Sequence, residues 1–312
     1  MTTPKVQDSM FPKVAIIGIG LIGGSLAWAM RDRKLAQAIV GYDRDPEAAA
    51  QATSLGVVDR ATESLDAAVA DADLVIVSTP VGAAGATIVA AAQAAKPDAL
   101  IIDVGSVKGE IVNAAAQLPN EPCVVPCHPI AGTERSGPAA GFASLFQDRW
   151  CIMTPLDRQD APYTAAVDRA MALWRAVGSD VEIMSADHHD IALAVTSHLP
   201  HLIAFTLVGA ADDLETVTEA EIVKYSAGGF RDFTRIAASD PVMWRDVFLN
   251  NKGAVLEVLG RFTEELALLQ RAIRWGDADT LEQIFARGRS LRRAIVEAGQ
   301  EKDVANFGRN ED

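Results

Sequence analysis

Cysteine is scarce in this chain. Only three occur, Cys123, Cys127 and Cys151, too few for a disulfide framework, so they read as reduced thiols in a reducing compartment. Cys123 and Cys127 beside His128 lack the spacing of a zinc site, and no metal is expected. Basic residues are also in deficit: 28 Lys and Arg against 42 Asp and Glu leave a net charge of −14. So acidic a surface repels phosphate backbones and argues against nucleic acid as a main ligand. Residues 1–12 hold no apolar core of a secretion signal. No run of roughly 18 residues is free of both charge and helix breakers as a membrane span requires. A soluble, cytoplasmic protein with no membrane partner is expected. If its substrate is an anion, a few basic residues must be gathered at the site.

With 312 residues, 49% of them hydrophobic, the chain is long enough for about two domains. From Lys13 to Met184 short apolar runs alternate with helical stretches. Strands are expected at Lys13–Gly18, Ala38–Asp43, Ala72–Ser78, Ala99–Val104 and Pro122–Cys127. Their continuous β-branched character indicates burial on both faces and a doubly wound parallel sheet. Trp150–Thr154 and Val181–Met184 could extend that sheet. From Ser185, a plausible N-cap, the pattern is helical. One helix covers Ile191–Ala211, with a kink at Pro200. Another starts at Asp240-Pro241 and runs through Trp275, with Gly253 and Gly260 as weak points. A third covers Asp277–Gly299. The expected division is 11–184, 185–300 and a polar tail at 301–312. Ile191–Ala211 is apolar nearly all round and must be covered; a homodimer through the helical half is expected.

Gly18-Ile19-Gly20-Leu21-Ile22-Gly23 follows the first strand and opens a helix, and Asp43 ends the second strand about 20 residues on. That context makes the glycine loop a dinucleotide site, with pyrophosphate at the helix N-terminus and ribose hydroxyls on Asp43. A carboxylate there favours NAD over NADP, although Arg44 could partly accommodate a 2′-phosphate. Ser78, Thr79 and Pro80 lie at a strand's carboxyl end and border the cofactor; Ser106 could reach nicotinamide or substrate. Lys108 reads as a solvated first-turn lysine. His128 follows another strand end, which places it at the cleft rim as an acid/base. His198 and His201 share one helix face. Adjacent His188 and His189 point different ways and read as structural. Arg235 could clamp a carboxylate bidentately.

The combination of Gly18-x-Gly20-x-x-Gly23, Asp103-Val-Gly-Ser-Val-Lys108, His128-Pro-Ile-Ala-Gly-Thr-Glu134, Ser197-His-Leu-Pro-His201 and Gly229-Phe-Arg-Asp-Phe-Thr-Arg235 resembles prephenate and arogenate dehydrogenases, whose broad-specificity members are cyclohexadienyl dehydrogenases. The resemblance implies a Rossmann-type domain followed by an all-α dimerisation domain, with NAD-dependent oxidative decarboxylation of a cyclohexadienol between them. It implies that His128 accepts the ring hydroxyl proton and Ser106 orients that hydroxyl. Arg235 would bind a substrate carboxylate and His201 the side-chain end, with His198, Thr133, Asp232 and Glu134 around the substrate. Trp244 would reach the site from the helical domain. No chorismate mutase domain before Lys13 and no regulatory domain after Gly299 is expected. Two other readings remain open from the residues: a β-hydroxyacid dehydrogenase type of oxidoreductase, and a non-catalytic dinucleotide sensor.

Overall fold

The computed structural model describes residues 9–133, 135–212, 221 and 224–297. The chain forms two compact units, residues 1–255 and 256–312. The first is built on β1 (Phe11–Ile17), α1 (Leu21–Asp32), β2 (Ala36–Tyr42), α2 (Pro46–Ser54), β3 (Arg60–Ala61), α3 (Leu65–Val69), β4 (Leu74–Val77), α4 (Val81–Ala94), β5 (Leu100–Asp103), α5 (Gly109–Ala116) and β6 (Cys123–Val125). The six strands form one sheet in the order β3-β2-β1-β4-β5-β6, every pair parallel.

Cover on both faces explains the unbroken apolar runs. Val14 and Ile16 of β1, with Leu74 and Ile76 of β4, enter a core that holds Leu26 and Met30 of α1. Their neighbours Ala15, Ile17, Val75 and Val77 enter a second core with Ala84 and Ile88 of α4 and Ile111 of α5. Successive side chains of a strand alternate faces, so a strand buried on both must be apolar at every position. The order reverses between β1 and β4, and the crevice beyond their carboxyl ends is where such sheets bind ligands.

The structure departs from expectation at Pro126. The run Pro122–Cys127 is not one strand, and Trp150–Thr154 and Val181–Met184 do not extend the parallel sheet. Pro126 offers no N–H to a ladder, while its carbonyl accepts the Thr154 N–H at 2.9 Å. The chain leaves the first sheet there and starts a second, β7 (Cys127–Pro129), β8 (Trp150–Met153) and β9 (Asp180–Ile183). In it β7 runs antiparallel to β8, with His128 opposite Ile152. The helix α6 (Ala161–Ala176) connects β8 to the parallel β9.

Ser185 caps α7 (Ala186–Leu193), its hydroxyl accepting the His188 N–H at 3.2 Å. A π-helical turn over Ala194–His198 leads into α8 (Leu199–Asp212). Pro200 causes it: a proline ring collides with the carbonyl four residues back, here Thr196, and the wider turn removes that collision. By length and composition Ala186–Ala211 is apolar enough to cross a membrane, yet its polar residues His189, Asp190 and His198 are buried within the protein. Asp240 caps a helix at Pro241–Asn250. The expected continuous helix breaks at Asn251 (φ −106°, ψ 33°) and resumes over Lys252–Trp275, with Gly253 and Gly260 inside it. In the second unit, Arg287 pairs with Glu265 at 3.1 Å across that helix and the next, Ala278–Glu297.

Candidate active site

The glycine turn between β1 and α1 has the shape of a dinucleotide cradle. Gly18 has a φ of +88°, and a Cβ on it would meet the Ser78 carbonyl at 2.7 Å. A Cβ on Gly23 would sit 2.3 Å from Ser78 Oγ and 2.5 Å from the Gly18 carbonyl oxygen. Ser78 therefore braces the turn, donating its hydroxyl to Gly18 O. Gly20 differs: a Cβ there would meet nothing within 4 Å, and it starts α1 without a side-chain cap. The first N–H groups of such a helix have no intrahelical partner, and none has a capping side chain among the described residues, the arrangement that binds a pyrophosphate. Leu21 and Ile22 turn back onto the first core. The carboxylate of Asp43 accepts the Ile19 N–H at 2.8 Å and the Asp45 N–H at 2.9 Å, which holds it beside the loop with lone pairs to spare for hydroxyls. Thr79 Oγ1 is buried without a hydrogen-bond partner among the described residues, and Arg44 and Pro80 are exposed. An open cradle, an uncapped helix end and an orphaned hydroxyl fit a bound dinucleotide.

His128 is buried, not exposed at a rim. The turn at Pro126 explains this, because it places His128 in the middle strand position of β7 rather than on a loop. A second correction concerns Lys108, which is fully buried. Its ammonium donates to Asp103 and, at 2.6 Å, to the Cys127 carbonyl. Asp103 in turn accepts the Cys127 N–H at 3.1 Å and the Gly105 N–H at 2.7 Å. The buried pair thus clamps the residue before His128 on both its backbone groups. A lysine at zero exposure needs such a counter-charge.

The histidine read as structural is joined to the candidate base. His189 Nε2 lies 2.8 Å from His128 Nδ1, and His189 Nδ1 lies 2.7 Å from Asp190 Oδ1. Asp190 also accepts the N–H groups of Lys108 and Gly109, each at 2.8 Å. Its backbone carbonyl accepts from Asn251, which also donates to His198 Nδ1 at 3.1 Å. His188 is exposed. His189, Asp190, Asn251 and Lys108 were not read as site residues. The signal available was the His-His-Asp sequence just inside a helix N-cap, whose second histidine faces inward.

Burial dominates the electrostatics. It pushes His128 well below the usual histidine range, reinforced by His189, Lys108 and His198. Burial also lowers His189 and takes His198 down to about 4, despite Asp190. Burial works against charge on Asp190 as well, but the hydrogen bonds from His189, Lys108 and Gly109 outweigh it and hold its carboxyl low. The centre therefore holds neutral imidazoles around one carboxylate.

His201 stacks on Trp244 and donates Nδ1–H to the Ser197 carbonyl at 2.9 Å. Burial lowers its affinity for a proton, and the nearby Arg235 adds to this. Arg235 and Asp232 are exposed, and Arg235 begins a short 3-10 turn over Arg235–Ala238. Trp244 is buried with Val107 and Val247, its Nε1 without a partner among the described residues. Ser106 is half-buried. Thr133 is exposed and accepts the Arg135 N–H at 3.2 Å. Glu134 lies outside the described residues.

Two family models match the chain: prephenate dehydrogenase, nucleotide-binding domain, over residues 26–183, and prephenate dehydrogenase, dimerization domain, over residues 185–287. The chain is 42% identical to the cyclohexadienyl dehydrogenase of Zymomonas mobilis, covering 92% of this chain and 97% of that one. It is 34% identical to the prephenate dehydrogenase of Bacillus subtilis, covering 92% and 76%. Its structure is similar to that of prephenate dehydrogenase from Aquifex aeolicus in complex with hydroxyphenyl propionate and NAD+, with a TM-score of 0.81, 35% identity and coverage of 91% and 98%.

Proposed function

The chain belongs to the prephenate dehydrogenase family, and we propose that it carries out the NAD-dependent oxidative decarboxylation of prephenate, arogenate or both, forming 4-hydroxyphenylpyruvate or tyrosine in tyrosine biosynthesis. The observation that carries this reading is His128: a buried imidazole with Nδ1 bonded to His189. Its Nε2 is left for a substrate proton.

NAD, when bound, supplies the hydride acceptor. The backbone of Gly18, Gly20, Leu21, Ile22 and Gly23 would hold its pyrophosphate, Asp43 its ribose, and Ser78, Thr79 and Pro80 would border it. Asp43 favours NAD, with Arg44 the residue that would soften a preference against NADP. His128 takes the proton of the ring hydroxyl at Nε2 as negative charge grows on that oxygen. Its depressed proton affinity keeps it neutral, and hence able to accept, at physiological pH. Ser106 orients the hydroxyl. Arg235 pairs with a substrate carboxylate, and His201, its Nδ1–H occupied by Ser197, meets the side-chain end, where its bare Nε2 can accept from the ammonium of arogenate. His198, Thr133 and Asp232 are assigned to the surroundings of the substrate, as is Glu134, which lies outside the described residues. Loss of carbon dioxide makes the ring aromatic, so the protein's main task is positioning.

The reading divides the chain into an NAD-binding domain at 11–184, a helical substrate and dimerisation domain at 185–300 and a tail at 301–312. The junction of the matched family regions between 183 and 185 supports this. A homodimer through the helical half is supported by the dimerization-domain match and by Val195, Leu207 and Val208, which are 53%, 39% and 40% exposed on one apolar helix. The enzyme would work in the cytoplasm. The test is formation of reduced cofactor by the purified chain with NAD and prephenate, then arogenate. Turnover of either supports the reading; turnover of neither refutes it.

A further inference from the structure

We infer that His189 and Asp190 are positioning residues that fix the proton of His128 on Nδ1, so that Nε2 is the atom left to accept the substrate proton. The inference rests on the reaction proposed above only for its consequence, since the arrangement is a property of the chain itself. Its direction follows from the one member that cannot donate. Asp190 already accepts two peptide N–H groups, from Lys108 and Gly109, and as a carboxylate it can only accept. The 2.7 Å contact therefore puts the proton on His189 Nδ1. A neutral imidazole carries one proton, so His189 Nε2 is the acceptor in the 2.8 Å contact, and His128 Nδ1 is its donor. The reverse arrangement would face the lone pair of His189 Nδ1 against a carboxylate.

The consequence is specific. An unconstrained histidine in water prefers its proton on Nε2, which would block the atom the reaction needs. The pair reverses that preference. When Nε2 takes up a proton, the new positive charge is shared along two hydrogen bonds toward a buried carboxylate. Asp190 is held from three sides: by the start of α5, by His189 and, through its own carbonyl, by Asn251. The geometry is set before substrate arrives.

The experiment has two parts. In ¹⁵N NMR of the intact wild-type protein, His128 should show a protonated Nδ1 and a bare Nε2. The opposite tautomer overturns the inference without any variant and independently of which substrate is used, so its failure is distinct from failure of the assigned reaction. Kinetics then compare His189→Leu, which removes the acceptor, with His189→Gln, whose amide oxygen can restore it. The Leu variant should lose kcat by roughly 10²-fold, with KM for substrate and affinity for NAD within about twofold. The Gln variant should recover most of the loss. Equal losses in both, or a rise in KM with kcat unchanged, would mark His189 as merely structural and sink the proposal.

Discussion

His201 lies flat against Trp244, their ring centroids 3.6 Å apart and their planes 22° apart. The stack and the Ser197 hydrogen bond fix the imidazole, while Arg235 sits close enough to disfavour a charge on it. A guanidinium near a neutral, oriented ring can recognise an anionic group of the substrate.

Replacing Arg235 tests this. Arg235→Ala should raise KM by roughly 30- to 150-fold, the worth of a charge-assisted bidentate contact at about 2–3 kcal/mol, and leave NAD affinity intact. Arg235→Lys should recover only part, because an ammonium cannot reproduce the planar fork. An unchanged KM in Arg235→Ala would return this residue to the solvated surface where its exposure puts it.

The pH dependence of kcat/KM follows from His128. Its neutral form is the active one, and burial with His189, Lys108 and His198 holds its proton affinity below the usual histidine value of 6.5. Activity should thus stay level as pH falls through 6.5 and drop only at lower pH. His128→Asn should lower kcat by ~10²–10⁴ and abolish that acidic limb. A limb centred above 6.5 in the free enzyme would contradict the buried, neutral assignment.

Much of this architecture was readable from periodicity. The apolar runs around Ile16, Ile76 and Ile101 announced a doubly covered sheet, and Gly18, Gly20, Gly23 and Asp43 announced the cradle. What escaped was set by long-range contacts. Lys108 looked solvated because its partner Asp103 lies only five residues earlier, and nothing local says that both are buried. His189 looked structural because its meaning depends on a strand 61 residues away in sequence. Asn251 ends a helix where glycines were the obvious weak points, and it does so because Asp190 and His198 accept its amide protons. Pro126 carried a local signal, a proline inside an apolar run, that favoured a break over one continuous strand.

Buried histidines also make stability depend on pH. His198 binds a proton near 6.5 when unfolded but only at about 4 when folded. Above 6.5 the two states bind equally. As pH falls below 6.5 the unfolded state takes the proton first, so stability declines from there until about 4. For this residue alone the loss is roughly 3 kcal/mol at about 1.4 kcal/mol per unit. His128, His189 and His201 are shifted the same way and deepen the decline. Urea unfolding at a series of pH values measures it. Stability that stays flat from pH 6.5 to 4 would mean that these rings are solvated in the folded protein.

Cofactor choice turns on Asp43. Asp43→Ser should relax discrimination against NADP, since the repulsion toward a 2′-phosphate leaves with the carboxylate. The same carboxylate also accepts the Ile19 and Asp45 N–H groups, so the variant should lose some NAD affinity as the loop loosens. Steady-state kinetics with both cofactors decide. A wild type that uses NADP tenfold better than NAD would shift weight to Arg44.

Gly20 and Gly23 separate binding from folding. The two sit three residues apart in one turn, yet a side chain would be crowded at one and unhindered at the other. A Cβ on Gly23 would come within 2.3 Å of Ser78 Oγ and 2.5 Å of Gly18 O. The hydroxyl can rotate away, but a backbone carbonyl cannot, so Gly23→Ala must shift α1 against β1 and should lower Tm along with cofactor affinity. A Cβ on Gly20 meets no protein atom within 4 Å. Gly20→Ala should therefore fold with wild-type Tm. Its methyl group would instead project over the uncapped N-terminus of α1, into the space a pyrophosphate needs for contact with the backbone N–H groups. Loss of those contacts should weaken NAD binding by at least tenfold while kcat at saturating NAD changes little. Calorimetric titration with NAD and a thermal melt on each variant give the answer. Full NAD affinity in Gly20→Ala would place the dinucleotide somewhere other than this turn.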